Sequence, residues 1–317
     1  MFNVGETVDS LEIINPFGDE GSFGCVYKVK DNSDRTEKAL KVFKSQCGST
    51  EKARFEKENE ILHKLNPHNY IIKPLSKILQ INGETCYLLE LADDNLDNYI
   101  NYNYLKLSDK QKFILFIQIC EGLEHSHSKK VVHRDLHNKN ILLKNESGED
   151  SVKITDFGKA RDFESTGFSR ENVPFGKINI TPPEILSQVV DMNSPIEEQV
   201  KADIYALGII LSIILYSYPN LFFKHILWLY DLAQHDGVYN KSCSQVKRTQ
   251  FYDFCLKSFK QENPQQYLCG LSVTLGQSIN QKVNELITQM TNPDYSTRII
   301  KSSDIKNRIL ALLAEIE

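Results

Sequence analysis

The stretch "VVHRDLHNKNILL", residues 131–143, decides the fold. It places a carboxylate, Asp135, and an amide, Asn140, on one polar loop between two apolar runs. A carboxylate beside a hydroxyl can accept its proton, and Mg²⁺ prefers oxygen ligands. The loop therefore predicts a site in which Asp135 is a base and Asn140 is a metal ligand, both facing a phosphate.

The composition is that of an ordinary globular protein. The 317 residues are 41% hydrophobic and 25% charged, and they suffice for one large domain or two lobes. The net charge of −5 argues against a nucleic-acid partner, since phosphate affinity requires a basic surface. Seven cysteines are scattered without a C-x-x-C pair, which is typical of reduced thiols. We therefore expect a cytoplasmic location, and a nuclear one stays open.

One apolar segment has the length of a membrane span. Residues 204–223 carry no formally charged side chain, but Asp203 adjoins them and Pro219 interrupts them. A buried core helix over residues 203–217 fits this pattern. The N-terminus lacks a basic region followed by an apolar stretch, so no secretory signal is expected. We therefore expect no membrane partner.

The first third of the chain has the pattern of a small β-rich unit. Residues 11–44 contain short β-branched and aromatic runs, and residues 75–81 and 85–91 are two further strand candidates separated by the turn signal "NGE". Residues 50–65 change to helical spacing. The pattern predicts a lobe over residues 1–91 with five strands and one helix.

The remainder of the chain, residues 92–317, is predicted to be mainly helical. Residues 108–129 place apolar side chains three and four apart, with Ser108 as an N-cap. The C-terminal residues 302–317 repeat this pattern behind a Ser/Asp start. No internal repeat is evident.

Two segments of the first lobe suggest a nucleotide site. The glycine-rich "GDEGSFGCV", residues 18–26, can bring backbone N–H groups close to phosphate oxygens, although ordinary hairpins also carry such turns. Lys41 shares a strand face with Ala39, and a half-buried ammonium needs a partner. Glu58 on the next helix is the candidate partner, and the pair is expected to hold phosphates. An exposed surface lysine is the alternative.

The segment "VKITDFGKAR", residues 152–161, supplies a second metal ligand. Asp156 stands at the end of an alternating strand and before a Phe-Gly turn. Asp156 and Asn140 are expected to share Mg²⁺. Asp135 is then left to orient the acceptor hydroxyl and to take its proton.

Taken in order, these segments resemble the eukaryotic protein kinase family over residues 10–315. The resemblance implies an α+β, bilobal protein kinase fold, with a small β-rich N-lobe (1–91) holding one major helix and a larger, mainly helical C-lobe (92–317). The whole chain, residues 1–317, is expected to be a single kinase domain. The matching features are the glycine-rich loop, Lys41, Glu58, HRDLHNKN (133–140), Asp156-Phe157-Gly158, TPPE (181–184), DIYALG (203–208) and Arg298 of NPDYSTR.

The resemblance also implies ATP and Mg²⁺ as cofactors, a protein substrate and a set of site residues. Leu89 stands at the back of the nucleotide pocket, and Glu90 and Ala92 offer backbone groups to adenine. The implied catalytic residues are Asp135, Lys41, Asn140, His137 and Lys139, and the implied metal ligands are Asn140 and Asp156. The implied nucleotide-binding residues are Gly18, Gly21, Ser22, Phe23, Gly24, Val26, Ala39, Lys41, Glu58, Leu89, Glu90, Ala92 and Leu142.

The sequence departs from the family most clearly at His137. The family has a lysine there in serine/threonine kinases, which touches the transferring phosphate, and a histidine near neutral pH is only partly protonated. Lys139 stands where many tyrosine kinases carry an arginine with a similar role. His137 is expected to slow transfer without abolishing it.

The leading hypothesis is an ATP-dependent protein kinase directed at serine and threonine. A tyrosine-directed or dual-specificity enzyme stays open, because neither the loop nor Lys177 decides between them. The alternative from another class is a pseudokinase or scaffold that binds nucleotide with little transfer. The G-x-x-G-x-x-G spacing of the glycine loop, His137 and Lys177 favour it. Glu184 and Arg298 disfavour a small-molecule phosphotransferase. The motifs carry no information on oligomeric state.

Overall fold

A computed structural model provides the structure of the protein. It describes residues 2–18, 24–165, 180–191, 193–216, 244–261, 275–299 and 301–316. Three of the expected nucleotide-binding residues, Gly21, Ser22 and Phe23, lie outside the described residues, as does Lys177.

The N-terminal part is an antiparallel sheet of six strands in the order β1-β2-β3-β4-β6-β5. The predicted turn between the last two strands is confirmed, since Asn82 and Gly83 both have positive φ angles, of 49° and 80°. The predicted strand 75–81 begins only at Leu79, because the N–H groups of Leu75 and Ser76 both donate to the carbonyl of Leu88. The strands are β1 (Thr7–Val8), β2 (Leu11–Pro16), β3 (Gly24–Asp31), β4 (Glu37–Phe43), β5 (Leu79–Ile81) and β6 (Glu84–Glu90).

The predicted helix after β4 is α1, Ser49–Leu65, and it packs against one face of the sheet. Phe55 is fully buried, and its ring lies 4.9 Å from that of Tyr87 on β6 and 5.6 Å from that of Phe43 on β4. These aromatic contacts hold α1 against the strands that carry Lys41, so they set the distance between the helix and the nucleotide side of the sheet.

Beyond Glu90 the chain is mainly helical, as expected, with a few short strands near the predicted site. The capping box of α3 confirms Ser108 as its N-cap, because Gln111 N–H donates to Ser108 Oγ at 3.2 Å and Ser108 N–H donates to Gln111 Oε1 at 2.9 Å. The helices are α2 (Leu96–Asn103), α3 (Asp109–Ser128), α4 (Pro183–Leu186), α5 (Ile196–Tyr216), α6 (Gln245–Gln261), α7 (Gln277–Met290) and α8 (Ser302–Ile316). The strands are β7 (Asp94–Asn95), β8 (Val131–Val132), β9 (Ile141–Glu146), β10 (Glu149–Ile154) and β11 (Arg161–Asp162).

Helix α5 contains most of the apolar segment that resembled a membrane span. Within the described part of the chain it alone is long and apolar enough to cross a membrane, with a mean hydropathy of 1.5. However, 94% of that stretch is buried inside the fold. The helix packs against α3 and α7, as the prediction of a core helix requires.

A buried ion pair ties α4 to this core. Arg298 and Glu184 are both fully buried, and Arg298 Nη1 lies 2.5 Å from Glu184 Oε1. Arg298 Nη1 also donates to the carbonyl of Lys201 at 2.9 Å, and Arg298 Nε donates to that of Asn292 at 3.0 Å. The pairing expected from the sequence is therefore confirmed, with the remaining guanidinium donors satisfied by backbone.

We expect Arg298→Met to lower the free energy of unfolding by about 3–5 kcal/mol, because it leaves Glu184 buried and unpaired. The matched control is Lys282→Met, which breaks an exposed pair to Glu315 and should cost less than about 1 kcal/mol. Urea denaturation of the three proteins measures both values. Equal losses of unfolding free energy in the two variants would show that burial of the Arg298–Glu184 pair does not increase its contribution to stability.

Candidate active site

The loop that carries Asp135 is held in place by hydrogen bonds to Asp203. This aspartate is buried in α5 and accepts three hydrogen bonds of 2.8 Å, from the backbone N–H groups of His133 and Arg134 and from Nε2 of His127. Burial alone would raise the pKa of Asp203, but the hydrogen bond from His127 and the nearby His133 bring it below the usual value of 3.8. Arg134 has a φ of 67°, so the backbone turns sharply just before Asp135.

Asp135 is nearly buried, and its two carboxylate oxygens have different surroundings. Oδ2 lies 3.0 Å from Nζ of Lys159. Oδ1 is buried and has no hydrogen-bond partner among the described residues. Burial raises the pKa of Asp135, and Lys159 opposes that rise. The unpaired oxygen is the atom on which an acceptor hydroxyl can place its proton.

Asn140 and Asp156 occupy adjacent backbone segments. The N–H of Thr155 donates to the carbonyl of Asn140 at 3.0 Å, and Asn140 Nδ2 donates to the carbonyl of Asp135 at 2.9 Å. The amide nitrogen is therefore engaged, and the amide oxygen of Asn140 is the atom suited to a metal. With the Asp156 carboxylate it forms the all-oxygen donor set that Mg²⁺ prefers, in which phosphate and water complete the shell. The residues present thus fit Mg²⁺.

The conformation around Asp156 directs its carboxylate toward the sheet. Asp156 has a left-handed backbone, with a φ of 61°, and its Oδ1 lies 3.4 Å from Nζ of Lys41. Partial burial disfavours its charged form, but Lys41 and His133 outweigh that effect and lower the pKa. The next residue, Phe157, is buried, with its ring 4.6 Å from that of His133. Asp156 therefore faces the cleft while Phe157 anchors the turn.

Lys41 has the partner predicted for it. Its Nζ lies 2.8 Å and 2.7 Å from the two carboxylate oxygens of Glu58 on α1. Burial would lower the pKa of Lys41, but Glu58 and its neighbours raise it well above the usual value. Tyr87, which the sequence did not indicate, stands opposite Lys41 in the β4/β6 register. Its hydroxyl is buried near Glu58, and burial followed by Glu58 raises its pKa.

The remaining residues predicted to bind the nucleotide come from both lobes. Ala39 pairs with Leu89 across β4 and β6, and the side chains of Val26 and Leu142 pack against the same apolar cluster, while Ala92 is buried just beyond β6. These apolar residues, which we call the slot, are of the kind that an adenine ring needs.

Two predicted residues of this slot have a more specific geometry. A Cβ on Gly24 would lie 2.9 Å from the carbonyl oxygen of Val42, so the close approach of β3 and β4 requires a glycine there. The carboxylate of Glu90 faces away from the slot, bound to Nζ of Lys144 at 2.6 Å and to the N–H of Lys73 at 2.9 Å. The N–H of Glu90 is engaged as well, because it donates to the carbonyl of Lys73 at 3.0 Å. Gly18 lies at the end of the described segment before the loop, with a φ of 77°.

The comparison with known proteins agrees with this geometry. A model of the protein kinase domain matches residues 14–307. The chain belongs to the protein kinase family.

Its kinase relatives are distant. A probable serine/threonine-protein kinase PknB of Lactococcus lactis is 30% identical over 217 residues, which cover 67% of this chain and 32% of the relative. The serine/threonine-protein kinase PLK4 of Drosophila grimshawi is 29% identical over 68% of this chain and 27% of the relative. The serine/threonine-protein kinase pakH of Dictyostelium discoideum is 35% identical over 65% of this chain and 37% of the relative. The match therefore spans about a third of each relative's length.

Two further catalytic residues of this kinase domain were expected in the loop, His137 and Lys139. His137 is buried, and its Nδ1 accepts a hydrogen bond from the N–H of Lys139 at 3.2 Å, which closes the short turn Asn138–Asn140. The side chain of Lys139 is exposed. The lysine that contacts the base is instead Lys159, which the sequence reading missed. Its signal was a lysine directly after Asp-Phe-Gly.

We expect Asp203→Asn to lower the free energy of unfolding near neutral pH by about 2–3 kcal/mol, because an amide cannot accept all three hydrogen bonds. The pKa of Asp203 is below its usual value of 3.8 in the folded state. The ionised carboxylate therefore stabilises the fold near neutral pH, and this stability is lost as the pH falls toward the folded-state pKa. The difference in free energy of unfolding between wild type and variant should therefore become smaller as the pH is lowered. Urea denaturation between about pH 7 and about pH 3.5 measures it.

The control for this prediction is Asp253→Asn, on the exposed face of α6, which should stay within about 0.5 kcal/mol of wild type. A gap for Asp203→Asn that is constant over the whole pH range would contradict a role for its charge.

Proposed function

We propose that the protein transfers the γ-phosphate of ATP to serine and threonine hydroxyls of proteins. The observation that carries the proposal is the buried Asp135, which keeps one carboxylate oxygen unpaired and whose backbone carbonyl accepts a hydrogen bond from Asn140 Nδ2 at 2.9 Å. The three relatives described above are all named serine/threonine-protein kinases, which supports the choice of acceptor.

The residues divide the reaction between them. Lys41, oriented by Glu58, binds phosphate oxygens, and the apolar slot binds adenine. Mg²⁺, when held by Asn140 and Asp156, neutralises charge on the phosphates. Asp135 Oδ1 orients the acceptor hydroxyl and takes its proton as the hydroxyl oxygen bonds to the γ-phosphorus. The bond from that phosphorus to the bridging oxygen breaks, and ADP leaves with the electron pair.

The groups whose loss would indicate an inactive relative are all present. Lys41 is paired with Glu58, Asp135 is oriented in the loop, and Asp156 faces Lys41. No contact in the described residues favours a scaffold over an enzyme. From the dispersed cysteines we also propose a cytoplasmic location.

The first test is phosphate transfer from γ-labelled ATP with Mg²⁺ to casein and to myelin basic protein. We expect the wild type to label serine and threonine, as phosphoamino-acid analysis would detect. Asp135→Asn should reduce the rate by about 100- to 10,000-fold, because it removes the base. Its KM for ATP should change little, since the base acts on the acceptor. Equal rates for wild type and Asp135→Asn would contradict the assignment, and phosphotyrosine alone would correct the acceptor.

The second test is nucleotide binding measured as a shift in melting temperature. ATP with Mg²⁺ at about 100 times Kd should stabilise the folded protein by about 2.7 kcal/mol, because the unfolded chain does not bind it. Lys41→Met should remove most of this shift. The matched control Lys306→Met, on α8 and paired with Glu121, should keep it. If Lys41→Met keeps the full shift in melting temperature, Lys41 does not bind the phosphates.

A further inference from the structure

The base of this site is paired with a lysine from another loop. Lys159 Nζ lies 3.0 Å from Asp135 Oδ2, where the Lys159 side chain is 30% exposed and that of Asp135 only 8%. Among the described residues Lys159 is the only lysine or arginine within ion-pair distance of Asp135. An exposed pair of this kind contributes little, but here one partner is almost fully desolvated, so the contact is stronger.

Two other basic residues near the site make contacts of their own. Lys41 is bound to both oxygens of Glu58. His137 uses Nδ1 to close its own turn. The two carboxylates Asp135 and Asp156 repel each other, and the arriving phosphates add further negative charge. Among the described residues, Lys159 is therefore the cation that balances charge at the base by direct contact.

The placement of Lys159 follows from the turn that Phe157 anchors. The turn Phe157–Lys159 begins after the left-handed Asp156, and its closing hydrogen bond runs from Ala160 N–H to the carbonyl of Phe157 at 2.9 Å. While Phe157 packs on His133, the three-residue turn brings Lys159 back over the catalytic loop. In this conformation Asp156 also faces Lys41, so the ion pair links the turn that carries the expected metal ligand to the base.

We propose that Lys159 is the positioning residue for the base, and that it supplies beside Asp135 the positive charge that His137 does not. By binding Oδ2 it holds the carboxylate in place and leaves Oδ1, which has no hydrogen-bond partner among the described residues, for the acceptor hydroxyl. This inference rests on the proposed kinase function.

The test compares phosphate transfer to casein by the full chain and its variants, with kcat and the KM for ATP measured separately. Lys159→Met keeps the length of the side chain and removes the charge. We expect its kcat to fall about 100-fold, as for a misplaced catalytic group, with a KM for ATP within about twofold of wild type. Lys159→Arg should retain activity within about tenfold of wild type, because it restores the charge. The matched control Lys306→Met should leave kcat and melting temperature unchanged.

The decisive comparison is whether a lysine at position 137 restores the activity lost in Lys159→Met. In the Lys159→Met background, His137→Lys should raise kcat at least about tenfold, whereas in the wild type it should change kcat by less than about threefold, since the charge is already present. This comparison separates charge from stability even if Lys159→Met lowers the melting temperature. A lysine at position 137 restores the charge but not the contacts of the turn.

Three results would overturn the inference. They are a kcat of Lys159→Met within about threefold of wild type, a Lys159→Arg rate as low as that of Lys159→Met, and an absence of rescue by His137→Lys. In each case Asp135→Asn must still abolish transfer, which keeps the proposed function intact. A wild type that transfers no phosphate at all would overturn the proposed function and this inference together.

Discussion

The active site depends on one buried carboxylate, Asp203. A charge inside so apolar a helix as α5 is costly unless it is fully hydrogen-bonded, and the donors come from the loop that precedes the base. Asp203 binds two consecutive backbone N–H groups and the His127 ring. Because both N–H groups must point down into the helix, the backbone takes a left-handed turn at Arg134. The position of Asp135 is therefore fixed from the core outward.

Two buried ion pairs among the described residues share a pattern that Asp135 does not follow. Arg298 with Glu184 and Lys41 with Glu58 are pairs in which both oxygens of the carboxylate have a donor. Such pairs fix structure, since every atom is satisfied. Asp135 differs because one oxygen is bound and the other is not. An unsatisfied buried acceptor costs about 1–3 kcal/mol, and proteins tolerate such costs mainly where a substrate group completes the hydrogen bond.

Much of the fold and part of the site could be predicted from local rules. The capping box at Ser108, the Asn-Gly turn and the buried helix α5 depend on short-range chemistry and on hydrophobicity, and each is present. The Lys41–Glu58 contact was also predictable, because a half-buried ammonium requires a partner and the next helix offered one. In each case the prediction follows from residues in the same or the next element of the sequence and from one physical rule, such as the cost of burying an unpaired charge.

Other features could not be predicted because they depend on backbone geometry between distant segments. The strand expected over residues 75–81 starts late, since two N–H groups share the Leu88 carbonyl. Tyr87 meets Glu58 only through the combined register of the sheet and the position of α1. Lys159 reaches Asp135 only because Asp156 is left-handed and Phe157 is buried. None of these conditions is visible in a window of sequence.

The location of Lys159 bears on how the catalytic loop is interpreted. What the reaction requires is a positive charge within a few ångströms of the base and the transferring phosphate, and Coulomb's law does not depend on which segment supplies it. A lysine has a flexible four-carbon stem, so it can reach this point from the turn after Asp156 as well as from the loop itself. The residue types at positions 137 and 139 are therefore weak indicators of activity or of acceptor preference in this chain. A charge carried by the metal-binding turn has one further consequence, because the base is then correctly held only when that turn is in place. In this arrangement the alignment of the base and the alignment of the metal ligand are a single conformational event.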